Sequence, residues 1–247
     1  KPEQLKIYPC QVINGSKLED LYWKKQYKPY TKEQTEKILV EMLKIVPRYC
    51  RVMRMMREIP PEYLVAGTTK IDLRKDIETE LKKNKIKLKE IRFREIGFSK
   101  TDNFDLKLKI TKYKASDGEE YFLEIVNNED ILFGLLRLRV FDELHSLNAR
   151  DIDKKLLMKN SWGDSNSIND KLTKTAIIRE LHIYGQALKL GEKGKISQHI
   201  GLGKWLLEEA EKIAKKNKYK RISVISGVGV RDYYKKLGYN LEGNYMV

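Results

Sequence analysis

Hydrophobic and polar positions change their period twice along this chain, and each change predicts a different kind of structure. Residues 5–13, LKIYPCQVI, form an apolar run that predicts a buried strand, closed by the turn signal Asn14-Gly15-Ser16. Thr31 is placed to cap a helix whose apolar positions Ile38, Leu39, Met42, Leu43 and Val46 recur at helical spacing, and Pro47 ends it. The run RYCRVMRMMREIPP reads as a short strand with Arg48, Arg51, Arg54 and Arg57 at every third position. Extended backbone spreads such a set over both faces, whereas a helix would gather it into a stripe. From Asp72 the sequence predicts a charged helix that passes into a strand at Arg92-Phe93-Arg94.

Near Lys100 the helical period gives way to consecutive strands. LKLKITKYKA and EEYFLEIVN are separated by Ser116-Asp117-Gly118, which is hairpin chemistry, and Ile131 to Val140 is a longer apolar run that predicts the central strand. Residues 141–175 are polar and without clear period, a loop long enough to be a functional flap or a disordered segment, and the sequence leaves open whether residues 144–172 gate a ligand site. Ile177 to Tyr184 then alternates as a strand. A glycine turn, an amphipathic helix, a strand from Arg221 to Ser226, a short helix in RDYYKKLGY and one last strand, LEGNYMV, complete the pattern. The chain divides into a basic mixed segment, residues 1–99, and an α/β domain, residues 100–247.

Charge adds a partner to this picture. Fifty Lys and Arg against 35 Asp and Glu leave a formal charge of +15, a field that attracts polyanions, with nucleic acid foremost. A hydrophobic fraction of 41% over 247 residues supports cores of ordinary size, and no apolar run approaches the ~20 residues of a membrane span. The first residues are neither a signal peptide nor a transit helix, so a cytoplasmic location is expected; Lys1 in place of an initiator methionine suggests a piece of something longer. Cys10 and Cys50 make neither a disulfide framework nor a tetrahedral zinc site, and both are expected in the core.

The chemistry concentrates at Gln198 to Gly203, QHIGLG, followed at once by KWLLEEAEKIAKKN. Gly201 and Gly203 leave the backbone bare at a helix start, where unpaired N–H groups and the positive dipole end favour a pyrophosphate. A dinucleotide fingerprint is absent, since no third glycine follows at the right spacing and the turn does not directly follow the first strand of the unit. Strand, glycine turn and a later helix bearing tyrosines suit a nucleotide with a pantetheine arm, coenzyme A. Lys204 either adds charge to the phosphates or is a solvated surface lysine. Of Tyr233 and Tyr234, about 100° apart on a helix, one can pack inward while the other faces the cleft, where a phenol can protonate a leaving thiolate. Glu180 and His182 share a strand face and can act as bases, or His182 is structural; His199 packs or binds phosphate.

IIRELHIYG, SQHIGLGKWLLEEAEKIAKKN and ISVISGVGVRDYYKKLGYNLEGNYMV, with GLLRLR and IRFREIG, resemble the acetyltransferase domain of the catalytic subunit of Elongator, a tRNA-uridine modifying enzyme. KIYPCQVINGSKLEDLYWKKQYKPY and PRYCRVMRMMREIP resemble the tail of that family's radical S-adenosylmethionine domain. Gln198, Gly201 and Gly203 also meet the Gln/Arg-x-x-Gly-x-Gly/Ala pattern of the GNAT acetyltransferases.

The resemblance implies a GNAT-type mixed β-sheet flanked by helices, preceded by the remnant of a radical S-adenosylmethionine barrel. It implies acetyl-CoA and tRNA as ligands, with a carboxymethyl-type group built at carbon 5 of the wobble uridine. Carried over, Arg179, Glu180, Leu181 and His182 contact the acetyl-CoA arm; Gln198, Gly201, Leu202, Gly203 and Lys204 contact the pyrophosphate; Tyr233 and Tyr234 stand at the thioester end. Glu180, His182 and Tyr234 are the catalytic candidates. Lys24, Lys25, Lys28, Arg48, Arg51, Arg54 and Arg57 face tRNA, with aromatics between them for unpaired bases. The family's S-adenosylmethionine and iron–sulfur cluster need three closely spaced cysteines that this sequence lacks, so the full reaction is expected only of the full-length protein. No metal is expected either at KLKEIRFR, where some members carry a cysteine-rich site. Other Elongator-like subunits or self-association are possible partners; no membrane is expected. A GNAT lysine acetyltransferase acting on protein, and a tRNA-binding scaffold without activity, stay open as alternatives.

Overall fold

The computed structural model describes residues 1–68, 73–99, 101–115, 118–141, 175–185 and 201–247, apart from the side chain of Thr175. They form two compact units, Pro2–Phe98 and Ser99–Val247, the latter also including Lys1.

In the first unit β1 (Gln4–Lys6) pairs in parallel with β3 (Arg51–Arg54), while β2 (Val12–Ile13) pairs antiparallel with β4 (Leu64–Ala66). The single buried strand expected over residues 5–13 is thus two short strands in two sheets, and only Val12 of that run is buried. Pro9 lies between them and has no N–H to give to a ladder. Helix α1 (Lys17–Trp23) is capped by Ser16, and α2 (Lys32–Ile45) opens with a capping box in which Thr31 and Gln34 bond each other's backbone N–H. Leu39, Leu43 and Val46 join Cys50, Val52 and, from α3 (Leu73–Lys83), Leu73, Ile77 and Leu81 in one core. Ile38 and Met42, expected on the same stripe, are 40% and 39% exposed.

The strand expected at Arg92-Phe93-Arg94 is instead a turn of helix, α4 (Ile91–Arg94). Its cause is Glu90, whose buried carboxylate accepts from the N–H groups of Arg92 and Phe93, both at 2.9 Å, and so nucleates the turn. The same carboxylate accepts from Val52 N–H at 3.1 Å and from Arg74 Nη2 at 2.7 Å, so it is buried with its charge and lone pairs satisfied.

The second unit is a seven-stranded sheet in the order β10-β11-β9-β8-β7-β6-β5. Its strands are β5 (Lys107–Lys114), β6 (Gly118–Val126), β7 (Leu132–Phe141), β8 (Thr175–Ile183), β9 (Arg221–Val224), β10 (Leu241–Glu242) and β11 (Tyr245–Met246). Every neighbouring pair is antiparallel except β8 with β9, which makes the mixed α/β sheet. The expected last strand is a hairpin, Leu241 opposite Met246, because Gly243 turns the chain at a φ of 60°.

Helix α5 (Leu202–Lys216) crosses between the parallel pair and buries Leu206, Leu207, Ala210 and Ala214 against β6, β7 and β8. Gly134 of β7 makes the closest approach possible: a Cβ there would stand 2.7 Å from Ile183 Cδ1 and 3.4 Å from Leu206 Cδ1. Helix α6 (Arg231–Lys236) follows β9. Among the described residues no helix is long and apolar enough to cross a membrane, and no group of three or more His, Cys, Asp or Glu could hold a metal ion.

Candidate functional site

The parallel pair comes apart. β8 and β9 are in register from Thr175 opposite Arg221 to Ile178 opposite Val224, and the last link is Ile225 N–H to the Ile178 carbonyl at 2.9 Å. β9 ends there, while β8 runs on to Ile183. Among the described residues, the β8 edge from Arg179 to Ile183 has β7 on one side and no strand on the other. A bulge lies at the parting point: Arg137 pairs with Glu180 and Leu138 with Ile178, so Arg179 is one residue in excess. The result is a cleft with backbone N–H and C=O groups along one wall, a shape that an extended amide-bearing chain can fill as an added strand.

Downstream of β8 stands the start of α5. Gly201 is its N-cap with a φ of 96°, in the left-handed region that favours glycine, and no side chain caps the helix. The first amides are therefore left for an anion, in the field of the helix dipole. Lys204 is exposed at this end and leans toward Glu208 at 3.7 Å. Gln198 and His199 lie outside the described residues, as do residues 144–172.

Helix α6 covers the same region. A Cβ on Gly203 would stand 2.5 Å from the hydroxyl of Tyr233, which places that phenol over the bare turn. Tyr233 is 40% exposed, whereas Tyr234 is 5% exposed and packs edge-on between Tyr233 and Tyr239, with ring centroids 5.2 and 5.9 Å away. Burial pushes the hydroxyls of both Tyr233 and Tyr234 above the ordinary tyrosine range, so each remains a neutral proton donor at physiological pH.

Of the two expected bases on β8, His182 is exposed and stacks on Tyr184 at 4.5 Å. Glu180 accepts from Arg137 Nε at 2.7 Å. Arg179, at the bulge, donates to Glu120 at 2.7 Å, and Glu120 also accepts from Arg139 at 3.1 Å. Glu120 is fully buried and Arg137 nearly so, with its guanidinium 4.7 Å above the Phe122 ring. Reading from the sequence missed this charge network, since Arg137 and Arg139 sit within an apolar run. The signal was there: their two-residue spacing places both on one strand face, opposite Glu120.

In the first unit Lys24, Lys25, Lys28, Arg54 and Arg57 are exposed, together with Trp23 at 66% and Tyr30 at 60%. Arg51 is bound to Glu95, and Arg48 is half-buried with its carbonyl accepting from Arg94 Nη2 at 3.0 Å. Of the expected row of four arginines, Arg54 and Arg57 are exposed and Arg48 and Arg51 partly so. Cys10, expected in the core, is exposed, while Cys50 is buried. The hydroxyl of Tyr27 is pushed up to about 12, first by its hydrogen bond with Cys10.

Residues 2–83 match the family model described as the Radical_SAM C-terminal domain. The tRNA uridine(34) acetyltransferase of Methanocaldococcus jannaschii is 38% identical over all of this chain and 43% of its own length. That of Dehalococcoides mccartyi is 36% identical over 99% of this chain and 50% of its own. Elongator complex protein 3 of Homo sapiens is 34% identical over all of this chain and 43% of its own. Among solved structures, the archaeal Methanocaldococcus infernus Elp3 with an N-terminal deletion superposes with a TM-score of 0.76 at 32% identity, covering 99% of this chain and 55% of that one. The chain thus spans about half the length of the relatives it matches or somewhat less, and over its whole extent it belongs to the family of Elongator complex protein 3 and the tRNA uridine(34) acetyltransferases.

Proposed function

We propose that this chain carries the acetyl-CoA site and part of the tRNA surface of a tRNA uridine(34) acetyltransferase. The observation that carries the reading is the parting of β8 from β9 in front of the uncapped start of α5. A pantetheine arm fits the opened β8 edge from Arg179 to Ile183, with its amides bonding as a strand would. The pyrophosphate fits the bare amides of Gly201, Leu202 and Gly203, and Lys204 adds a positive charge at the rim. Tyr233 is the exposed phenol over the same turn and can donate a hydrogen bond at the phosphate end of the arm, while Tyr234 holds its ring in place.

The division into a basic segment, residues 1–99, and an acetyltransferase domain, residues 100–247, belongs to the same reading. In the first, Lys24, Lys25, Lys28, Arg54 and Arg57 contact RNA phosphates, and Trp23 and Tyr30 stack on unpaired bases. S-adenosylmethionine and an iron–sulfur cluster would supply the radical that activates the acetyl group. The two cysteines of this sequence do not provide the cluster's ligands. The surplus of positive charge disfavours a basic protein substrate through like-charge repulsion.

The test is calorimetric titration with acetyl-CoA, with and without tRNA, alongside an assay of thiol release. Cofactor binding with thiol release that rises on adding tRNA is the expected result. Binding of tRNA with no cofactor heat would reduce the chain to an RNA-binding scaffold.

A further inference from the structure

Two polar side-chain atoms shut off from solvent, Ser226 Oγ just beyond β9 and Arg231 Nε at the first residue of α6, find no hydrogen-bond partner among the described residues. A buried hydroxyl without a partner is costly to keep, so its place in the fold carries information. Ser226 is the first residue beyond the last link between β8 and β9, the bond from Ile225 N–H to the Ile178 carbonyl. It therefore stands at the apex of the cleft, where the two strands begin to part.

The side of the sheet follows from register. Val224 pairs with Ile178, and Ile178 with Leu138. Leu138 lies on the same face of β7 as Gly134, which approaches Leu206 of α5. Strand alternation continued from Val224 puts Ser226 on that α5 face and turns Ile225, 52% exposed, to the other. Gly203 and Tyr233 meet at the start of α5, the helix on this face. A ligand whose phosphates lie on the α5 start and whose arm runs along the β8 edge ends at this apex.

We infer that the Ser226 hydroxyl donates a hydrogen bond to the carbonyl oxygen of the acyl thioester and so distinguishes an acyl-CoA from coenzyme A. This rests on the acetyl-CoA reading of the cleft. It makes Ser226 a binding and specificity-determining residue, with no bond made or broken by it.

The probes are acetyl-CoA and S-ethyl-CoA, which differ at the acyl position by the carbonyl oxygen. Calorimetry on the full chain should find acetyl-CoA weakened about tenfold by Ser226→Ala, restored by Ser226→Thr, and S-ethyl-CoA bound alike by all three proteins. A merely structural serine would weaken both ligands together or neither, and either outcome would overturn the inference while leaving the acetyl-CoA site standing. If the unaltered chain binds neither probe, the acetyl-CoA reading itself falls, and this inference with it.

Discussion

The hydroxyl of Tyr233 lies so close above Gly203 that a methyl group on the glycine would stand 2.5 Å from it. Alanine is otherwise welcome in the first turn of a helix, and this glycine has no left-handed φ to protect. Gly203→Ala should therefore leave the melting temperature within a few degrees while displacing Tyr233 from the bare turn. Acetyl-CoA affinity is expected to fall at least tenfold by calorimetry. Unchanged affinity would mean that Tyr233 swings aside and does not form part of the site.

Glu120 holds the bulge of β8 from two strands away. Its buried carboxylate joins Arg179, the extra residue, to Arg139, and both arginines lose their shared partner in Glu120→Ala. Removing one member of a buried ionic group costs about 3–5 kcal/mol, and the low end applies because the Arg179 side chain is one-third exposed to water. A drop of roughly 10 °C in melting temperature is expected for a protein of this size. A shift of less than about 2 °C would show that water reaches the arginines and takes the carboxylate's place.

The succession of strands and helices after residue 100 and the glycine at the start of α5 were legible because they depend on local signals. Alternation in Ile177 to Tyr184, the hairpin chemistry near Gly118 and the cap Thr31 act between near neighbours in the chain. What escaped depends on distant partners. The Arg92 to Arg94 segment has residues that suit a strand, yet Glu90 turns it into helix while also meeting Val52 and Arg74. Glu180 has the composition of a base, and its partner Arg137 comes from another strand, β7. The parting of β8 and β9 has no sequence signature, because Ile225 continues the β-branched residues Ile222 and Val224 past the point where the pairing ends.

Tyr239 sets a limit at high pH. Its hydroxyl donates to Glu211 at 2.6 Å, and burial above all, with the carboxylate second, raises it far beyond the ordinary tyrosine range. The unfolded chain gives up this proton near pH 10, whereas the folded chain retains it. The group's contribution to stability is therefore fully present below about pH 10 and is lost progressively as pH rises above it. Denaturant midpoints should fall above pH 10. In Tyr239→Phe they should start lower and fall less steeply; a parallel fall in both proteins would assign the alkaline loss to other groups.

Phosphate contacts and base stacking on the basic segment can be told apart by salt. Each lysine that meets a phosphate adds about one to the slope of log affinity against log salt concentration, because it releases a condensed counterion. A stacked ring contributes ~1–3 kcal/mol per base and nothing to that slope. Lys24, Lys25 and Lys28 are exposed around Trp23, whose indole N–H is oriented by Glu19 at 3.2 Å and whose ring meets Tyr22 edge-on at 5.0 Å. Lys24→Ala combined with Lys25→Ala should flatten the slope for tRNA by one to two. Trp23→Ala should weaken binding at least fivefold at every salt concentration and leave the slope as it was. The same pair of measurements on Arg51→Ala, whose guanidinium is already held by Glu95, should show neither effect. If Trp23→Ala flattens the slope, or the double lysine variant leaves it unchanged, the RNA path does not run over α1.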